Sequence, residues 1–150
     1  MNVKNLCEEL KKYSDVMDLN APLDQEELLA FQKENSIKLP DSLAELLLSF
    51  NGGEIFIPGT VIYGLSKYKK IETIKYVNRR EFRKQFSIPN TYLIFAKLNY
   101  GDLICINLNY PYDIIQWDHE ADEQFCTWDS LEEWLDETIK SYIDFKGGNA

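Results

Sequence analysis

The sequence has few of the side chains that metal sites and enzyme active sites most often use. Its 150 residues include one histidine, His119, and three cysteines, Cys7, Cys105 and Cys126, none of which lies in a CxxC pair. An odd number of cysteines without ligand spacing argues against a disulfide framework and against a zinc site. We therefore expect no bound metal, no cofactor, and three reduced thiols that are mostly buried.

Motifs for nucleotide binding and for nucleophilic catalysis are also missing. The chain contains no GxSxG sequence, and Gly52-Gly53 lacks both the lysine of a P-loop and the third glycine of a dinucleotide fingerprint. A cysteine–histidine pair would require His119 to meet Cys105 or Cys126 across a sheet. The acidic run around His119 lacks the spacing of a calcium loop and is interpreted as an exposed loop. The sequence thus predicts no catalytic residues.

No apolar run is long enough to span a bilayer. The first residues, MNVKNLCEELKKYSD, mix charged and apolar positions and do not form a secretory signal. With 45% hydrophobic and 27% charged residues, the composition is that of a globular protein. One core suffices at this length, so we expect a single domain over residues 1–150, located in the cytoplasm and without membrane contact.

Acidic side chains outnumber basic ones, and the formal net charge is −9. The surplus is uneven, because residues 51–100 carry nine basic and three acidic side chains, whereas residues 101–150 carry two basic and 12 acidic side chains. A field of this sign repels nucleic acid and attracts a basic protein. We therefore expect a basic protein partner and no direct contact with nucleic acid.

Apolar residues spaced three and four positions apart predict five helices. They are an opening helix that ends before Ala21, one from Asp24 to Asn35, one that starts at Leu39-Pro40 and stops at Asn51-Gly52-Gly53, one from Tyr68 to Phe86, and one capped by Asp129 or Ser130. The fourth helix would present a basic face, made of Lys69, Arg79, Arg80 and Arg83. The net charge opposes a nucleic-acid contact there and favours a solvated face.

Short apolar runs bounded by turn residues predict strands. They cover residues 54–57, 60–63, 92–96, 103–108, 113–117 and 124–127. Helices cluster at the start of the chain and strands in its middle and final parts, without strand–helix–strand alternation. This order predicts an α+β fold with a mostly antiparallel or mixed sheet, on which the N-terminal helices and a C-terminal helix pack.

Several short motifs follow one another in a recognisable order. They are Ile37-Lys-Leu-Pro40, Phe50-Asn-Gly-Gly53, Tyr92–Ala96, Gly101-Asp102, Ile115-Gln-Trp-Asp-His-Glu120 and Trp128–Leu135. Their ordered combination, over roughly residues 23–142, resembles the SUKH superfamily, which includes homologues of a yeast cell-wall-synthesis regulator and many bacterial immunity proteins. The match is weakest over residues 55–88, so no role of the basic face is carried over.

The resemblance implies a non-enzymatic α+β domain that binds a partner protein, most often a toxin nuclease or another effector made by the same cell. It also implies structural roles for the residues of the family pattern, which here are Leu39, Pro40, Asn51, Gly52, Gly53, Gly101, Asp102 and Trp117. The alternatives are a regulatory interaction module like the yeast relative, a small nucleic-acid-binding protein and a small hydrolase.

The acidic final third suggests where a partner would dock. We expect a cognate toxin, most often a basic nuclease domain, to bind a surface made of Asp118, Glu120, Asp122 and Glu123, extended by Glu132, Glu133, Asp136 and Glu137 on the last helix. Trp117 and Trp128 flank the loop, and an exposed ring at either position would supply an aromatic anchor. A buried core position is the favoured interpretation for both rings.

Overall fold

The computed structural model describes residues 1–148, which form one antiparallel sheet and six α-helices. The helices are α1 (Val3–Lys11), α2 (Gln25–Glu34), α3 (Asp41–Ser49), α4 (Ile74–Val77), α5 (Arg80–Arg83) and α6 (Leu131–Gly148). The strands are β1 (Met17–Leu19), β2 (Gly53–Ile55), β3 (Thr60–Ile62), β4 (Tyr92–Lys97), β5 (Leu103–Asn107), β6 (Ile114–Asp118) and β7 (Glu123–Trp128). This architecture confirms the predicted α+β class.

The seven strands pair in chain order, so β1 and β7 are the two edges of the sheet. The register aligns Val61 with Lys97, Lys97 with Leu103, and Leu103 with Trp117, which places these side chains on one face. The other face carries the neighbouring positions, Ile62, Ala96, Ile104 and Gln116. The contacts between strands and helices show which helices cover each face.

Three long helices cover the second face. α1, α3 and α6 pack against one another, and Trp134 of α6 meets Phe95 of β4 edge-on with 5.4 Å between ring centroids. Thr60, whose neighbour Val61 faces the other way, lines a cleft together with Tyr142 of α6. The core therefore lies between the sheet and these helices, as the predicted N-terminal and C-terminal helix packing requires. Within residues 1–148 no helix combines the length and apolarity needed to cross a membrane.

The opening helix is shorter than the sequence predicts. α1 ends at Lys11, a short 3-10 turn covers Ser14–Val16, and Met17–Leu19 form the edge strand β1 instead of continuing the helix. Backbone pairing with Gly53–Ile55 of β2 gives Met17–Leu19 an extended conformation. The prediction was wrong here because three residues are too few to show an alternating pattern, and Met17 also fitted the helical spacing.

The predicted helix over residues 68–86 is wrong as well, since only two four-residue helices form there. Tyr68 and Ile71 exchange backbone hydrogen bonds around Lys69, whose φ is +52°, and Thr73 caps α4 through its hydroxyl. The segment bends twice and lies over the first face of the sheet, where α4 contacts β4. Its apolar residues share a helical spacing, yet they reach the sheet from separate turns.

The basic face predicted for that helix does not exist as one surface. Lys69 forms an ion pair with Asp18 of β1, at 2.7 Å between Nζ and Oδ2. The half-buried guanidinium of Arg83 donates to Asn78 Oδ1 at 2.9 Å and to the carbonyl oxygens of Tyr92 and Pro89, both at 2.8 Å. Arg83 thereby fastens α5 to the start of β4, and the two cations have different structural partners.

The Asn51-Gly52-Gly53 motif lies where three segments cross. The Asn51 side chain is buried, and its Oδ1 accepts a hydrogen bond from the amide of Leu65 at 2.8 Å. Gly52 has φ +85°, and a Cβ there would lie 2.7 Å from the backbone nitrogen of Gly64. Gly53 has φ +145°, and a Cβ there would lie 2.5 Å from the carbonyl oxygen of Asp18. Only glycine permits both the backbone conformation and the close approach.

Candidate partner-binding surface

The turn between β6 and β7 is folded by its own first residue. Asp118 Oδ1 accepts hydrogen bonds from the amides of Glu120 and Ala121, at 2.9 and 3.0 Å. An aspartate that bonds the backbone two and three residues ahead stabilises a tight turn. Asp118 therefore shapes the loop as well as adding charge to it.

Asp122 connects this turn to the loop that precedes β4. Its carboxylate accepts hydrogen bonds from the Ser87 hydroxyl at 2.6 Å, the Ser87 amide at 2.8 Å and Trp117 Nε1 at 3.1 Å. The two bonds from Ser87, followed by the bond from Trp117, lower the pKa of Asp122 below its ordinary value. Of the four acidic loop residues, Asp122 is the one most committed to contacts within the protein.

Glu120 and Glu123 are the carboxylates of this turn that remain free for a partner. Both are exposed, and within residues 1–148 neither forms an ion pair with a lysine or an arginine. The nearest basic side chain to Glu120 in the described ion pairs is the imidazole of His119, whose Nε2 lies 3.7 Å from Oε1. These two side chains present uncompensated negative charge to the solvent.

Phe125 is an exposed aromatic residue that sequence reasoning missed. It lies on the edge strand β7, beside the acidic turn, with 66% of its surface exposed. Trp117 is buried at 6% exposure, as expected for a core residue, and Trp128 is half-buried. The register of β7 against β6 shifts next to Phe125, and such an irregularity turns a side chain away from the regular alternation. No signal in the sequence marks this shift.

Three of the four acidic residues expected on the last helix have partners inside the protein. Glu137 accepts a hydrogen bond from Trp128 Nε1, Glu133 accepts one from the Asp129 amide at 3.1 Å, and Asp136 pairs with Lys140 at 2.9 Å. Glu133 and Glu137 thus lie beside the final residues of β7, on the same edge of the sheet as Glu123.

Glu132 lies apart from the acidic turn. It lines a cavity of about 390 Å³ together with Leu39, Pro40 and Tyr112. Tyr112 follows β5, and the cavity therefore adjoins the end of β7 that is farthest from Glu123. A six-residue strand spans roughly 17 Å at about 3.3 Å per residue, so one small contact cannot include both glutamates.

We call the surface made by β7, the turn 118–122, Glu133 and Glu137 the acidic edge. One end holds the free carboxylates of Glu120 and Glu123 beside the hydrogen-bonded Asp118 and Asp122, the other end holds the bound Glu133 and Glu137, and the exposed ring of Phe125 lies between them. Aromatic rings within a charged rim are a common composition of protein–protein interfaces.

The single histidine belongs to a buried polar network. Asp102 accepts hydrogen bonds from Gln116 Nε2 at 2.8 Å and from the His119 amide at 3.2 Å, and its Oδ1 lies 2.6 Å from His119 Nδ1. Burial by itself raises the pKa of Asp102, but the bonds from Gln116 and His119 outweigh it, and the pKa falls below its ordinary value. The ring also rests on Gly101, where a Cβ would approach Nε2 to 2.8 Å.

This network brings Asp102, Asp118 and His119 together, with one potential ligand atom of each within 4.8 Å of the others. Oδ1 of each aspartate already accepts hydrogen bonds, from His119 in one case and from the turn amides in the other. These hydrogen bonds, which fold the ends of the hairpins, explain why the three side chains lie together.

The cysteines are poor nucleophiles in these surroundings. Burial raises the pKa of the Cys105 thiol to about 12 and that of Cys7 to about 11. Burial, with Glu137 and Asp102 adding to it, also raises the pKa of Cys126, whose sulfur lies 3.7 Å from Gln116 Oε1. Among the described residues, no hydrogen bond joins a cysteine to His119, so a Cys–His pair does not form.

A search of curated proteins finds no match to this chain. The family model of SMI1 / KNR4 (SUKH-1) matches residues 22–137, which spans all of the sheet except β1 and includes the acidic edge through Glu137. The chain belongs to the SMI1 / KNR4 family (SUKH-1).

Proposed function

We propose that this protein is an immunity protein that binds and neutralises a cognate toxin in the cytoplasm. The observation that supports this most is the acidic edge, where neither Glu120 nor Glu123 pairs with a lysine or an arginine of residues 1–148 and Phe125 is exposed. Family membership favours a protein-interaction role for the whole domain.

Charge complementarity indicates the kind of partner. The net charge of −9 and the free carboxylates of the acidic edge attract a basic protein over distances of about 10 Å at 0.1 M salt. A nuclease carries a basic active site to hold its own substrate, so a nuclease domain is the partner proposed. Binding inhibits it either by covering that site or by occupying an adjacent surface.

Phe125 would supply the apolar contact that charge alone does not give. Salt bridges at an interface rim contribute little free energy, whereas a buried aromatic ring at the centre contributes much of it. The ring lies between the free carboxylates and Glu137, which is the arrangement of a central contact with a charged rim.

A second candidate is a regulatory interaction module, because the sequence resembles a superfamily that includes homologues of a yeast cell-wall-synthesis regulator, and the chain belongs to the SMI1 / KNR4 family. Genomic context separates the two. A neighbouring gene for a large protein with a toxin-like C-terminal domain supports immunity, and a solitary housekeeping locus supports regulation.

The test is co-expression with the toxin encoded beside the gene. A variant with Glu120→Gln, Glu123→Gln and Phe125→Ser should lose protection of the host cell while keeping its fold, since none of these side chains is hydrogen-bonded to residues 1–148. A control with Glu8→Gln and Glu34→Gln removes the same charge from exposed positions on α1 and α2 and should protect fully. Full protection by the triple variant would move the interface to another surface.

A further inference from the structure

A groove of about 530 Å³ opens on the face of the sheet that α6 does not cover. Its floor includes Val61 and Lys97 of the sheet, and its wall includes Ile71 and Phe82 of the segment that was expected to be one helix. Sites for small molecules have volumes of roughly 300–1,000 Å³ and combine apolar walls with a few polar groups. The groove has the size and the composition of such a site.

Tyr63 places an unpartnered hydroxyl at this groove. The residue is 6% exposed and lines the groove, yet its hydroxyl makes no hydrogen bond with any part of the chain that the structure describes. Among the described residues, no buried side-chain oxygen or nitrogen lacks a hydrogen-bond partner, so the Tyr63 hydroxyl is the part of this residue that reaches the solvent of the groove. It is therefore available to donate to a ligand there. Burial, and secondarily the charge of Glu72, raises the pKa of Tyr63 to about 12, so the hydroxyl stays protonated and can donate at neutral pH.

The charges around the groove are unequally compensated. Glu72 pairs with Lys67 at 3.1 Å, and Glu54 accepts a hydrogen bond from the Gly59 amide at 3.3 Å. Lys70 and Lys97 also line the groove, and neither forms an ion pair with a carboxylate of residues 1–148. Glu54 likewise forms no ion pair within residues 1–148, so two unpaired lysines face one unpaired glutamate and the groove keeps a positive surplus beside the Tyr63 hydroxyl.

We propose that this groove binds a small carboxylate with an apolar or aromatic body. Tyr63 and Lys97 lie on one face of adjacent strands and donate to the carboxylate, Lys70 adds charge from the opposite wall, and Val61, Ile71 and Phe82 contact the apolar body. A carboxylate supplies the acceptor that the Tyr63 hydroxyl lacks. None of these residues belongs to the acidic edge, so the groove does not depend on the toxin-binding role.

The test is an amide NMR titration of the whole ¹⁵N-labelled chain with sodium 3-phenylpropionate, and separately with the uncharged 3-phenylpropionamide. The acid should shift amide signals around Val61, Tyr63, Ile71 and Lys97, and it should bind about tenfold more tightly than the amide because its bonds to Tyr63 and Lys97 are charge-assisted. Absence of localised shifts, shifts centred elsewhere, or equal affinity for the two compounds would each overturn the proposal.

Matched substitutions separate ligand binding from structural effects. Tyr63→Phe and Lys97→Gln should each lower the affinity for the acid about tenfold without lowering the melting temperature, because neither side chain has a hydrogen bond or ion pair with residues 1–148 to lose. Tyr68→Phe removes a real hydrogen bond, 2.7 Å from Asp18 Oδ1 and outside the groove, and should leave the affinity unchanged. Unchanged affinity in both groove variants, or equal weakening by Tyr68→Phe, would contradict the site.

Discussion

The backbone at Gly52 and Gly53 determines how closely β1, β2 and the segment at Gly64 approach one another. Both residues have positive φ, and at both a Cβ would lie closer than 3 Å to backbone atoms. Backbone atoms cannot move aside as the end of a flexible side chain can. The requirement for glycine therefore comes from strand crossing, and it needs no bound phosphate.

Substitution of Gly52 by alanine tests this account of the motif. Gly52→Ala should lower the free energy of unfolding by about 2 kcal/mol or more, because strain at positive φ adds to a 2.7 Å contact with Gly64. Gly147→Ala is the control, since its Cβ would meet no atom of the described residues within 4 Å and alanine favours a helix by up to about 1 kcal/mol. Urea denaturation measures both variants. Equal stability of Gly52→Ala and wild type, together with lost partner binding, would assign the glycine to an interface.

Helix caps were predictable from the sequence, because a cap depends on a few neighbouring residues. Asp24 caps α2, with Oδ1 accepting from the Glu26 amide at 2.8 Å, and Ser130 caps α6. The bonds of Asp102 to His119 and of Asp122 to Ser87 join residues 17 and 35 positions apart. Only the register of the folded sheet brings them together, and a single sequence gives no sign of that register.

At the scale of elements, the segment 64–91 shows why a hydrophobic stripe is not proof of a helix. Ile74 and Val77 belong to α4 and are buried. Phe82 belongs to α5, which approaches the sheet after the chain changes direction at Asn78. The Asn78 side chain bonds both the amide and the carbonyl of Ile94, at 2.9 and 2.7 Å. Contacts with β4 therefore replace the intrahelical bonds that a continuous helix would have formed.

Arg83 is expected to stabilise this segment rather than to bind a ligand. Arg83→Lys should lower the free energy of unfolding by about 1–3 kcal/mol, since one ammonium cannot replace a guanidinium that bonds Asn78, Pro89 and Tyr92 together. Arg80→Lys, at an exposed neighbouring position, should change stability little. Denaturation by urea compares the two. Equal effects of the two substitutions would show that the guanidinium contacts do not support the segment.

For the molecule as a whole, the antiparallel pairing of β2 with β3 and of β4 through β7 was predictable, because these strands follow one another with short turns and sequential strands usually pair. The pairings of β1 with β2 and of β3 with β4 cross long helical segments. The distribution of charge was only partly predictable. The surplus of carboxylates in residues 101–150 was evident, but the fold uses Asp102, Asp122 and Glu137 internally and leaves Glu120 and Glu123 free. Solvent exposure of Phe125 likewise depends on the irregular pairing of the edge strand.

The most direct test of the acidic edge is the association rate constant for the purified protein and its cognate toxin domain, measured by stopped-flow at increasing sodium chloride. Steering by charge predicts a rate that falls steeply with salt, and Glu120→Gln with Glu123→Gln should slow association by about tenfold at low salt and much less at high salt. The control with Glu8→Gln and Glu34→Gln should stay close to wild type. A rate constant that is independent of salt, or equally slow in both double variants, would contradict docking at the acidic edge.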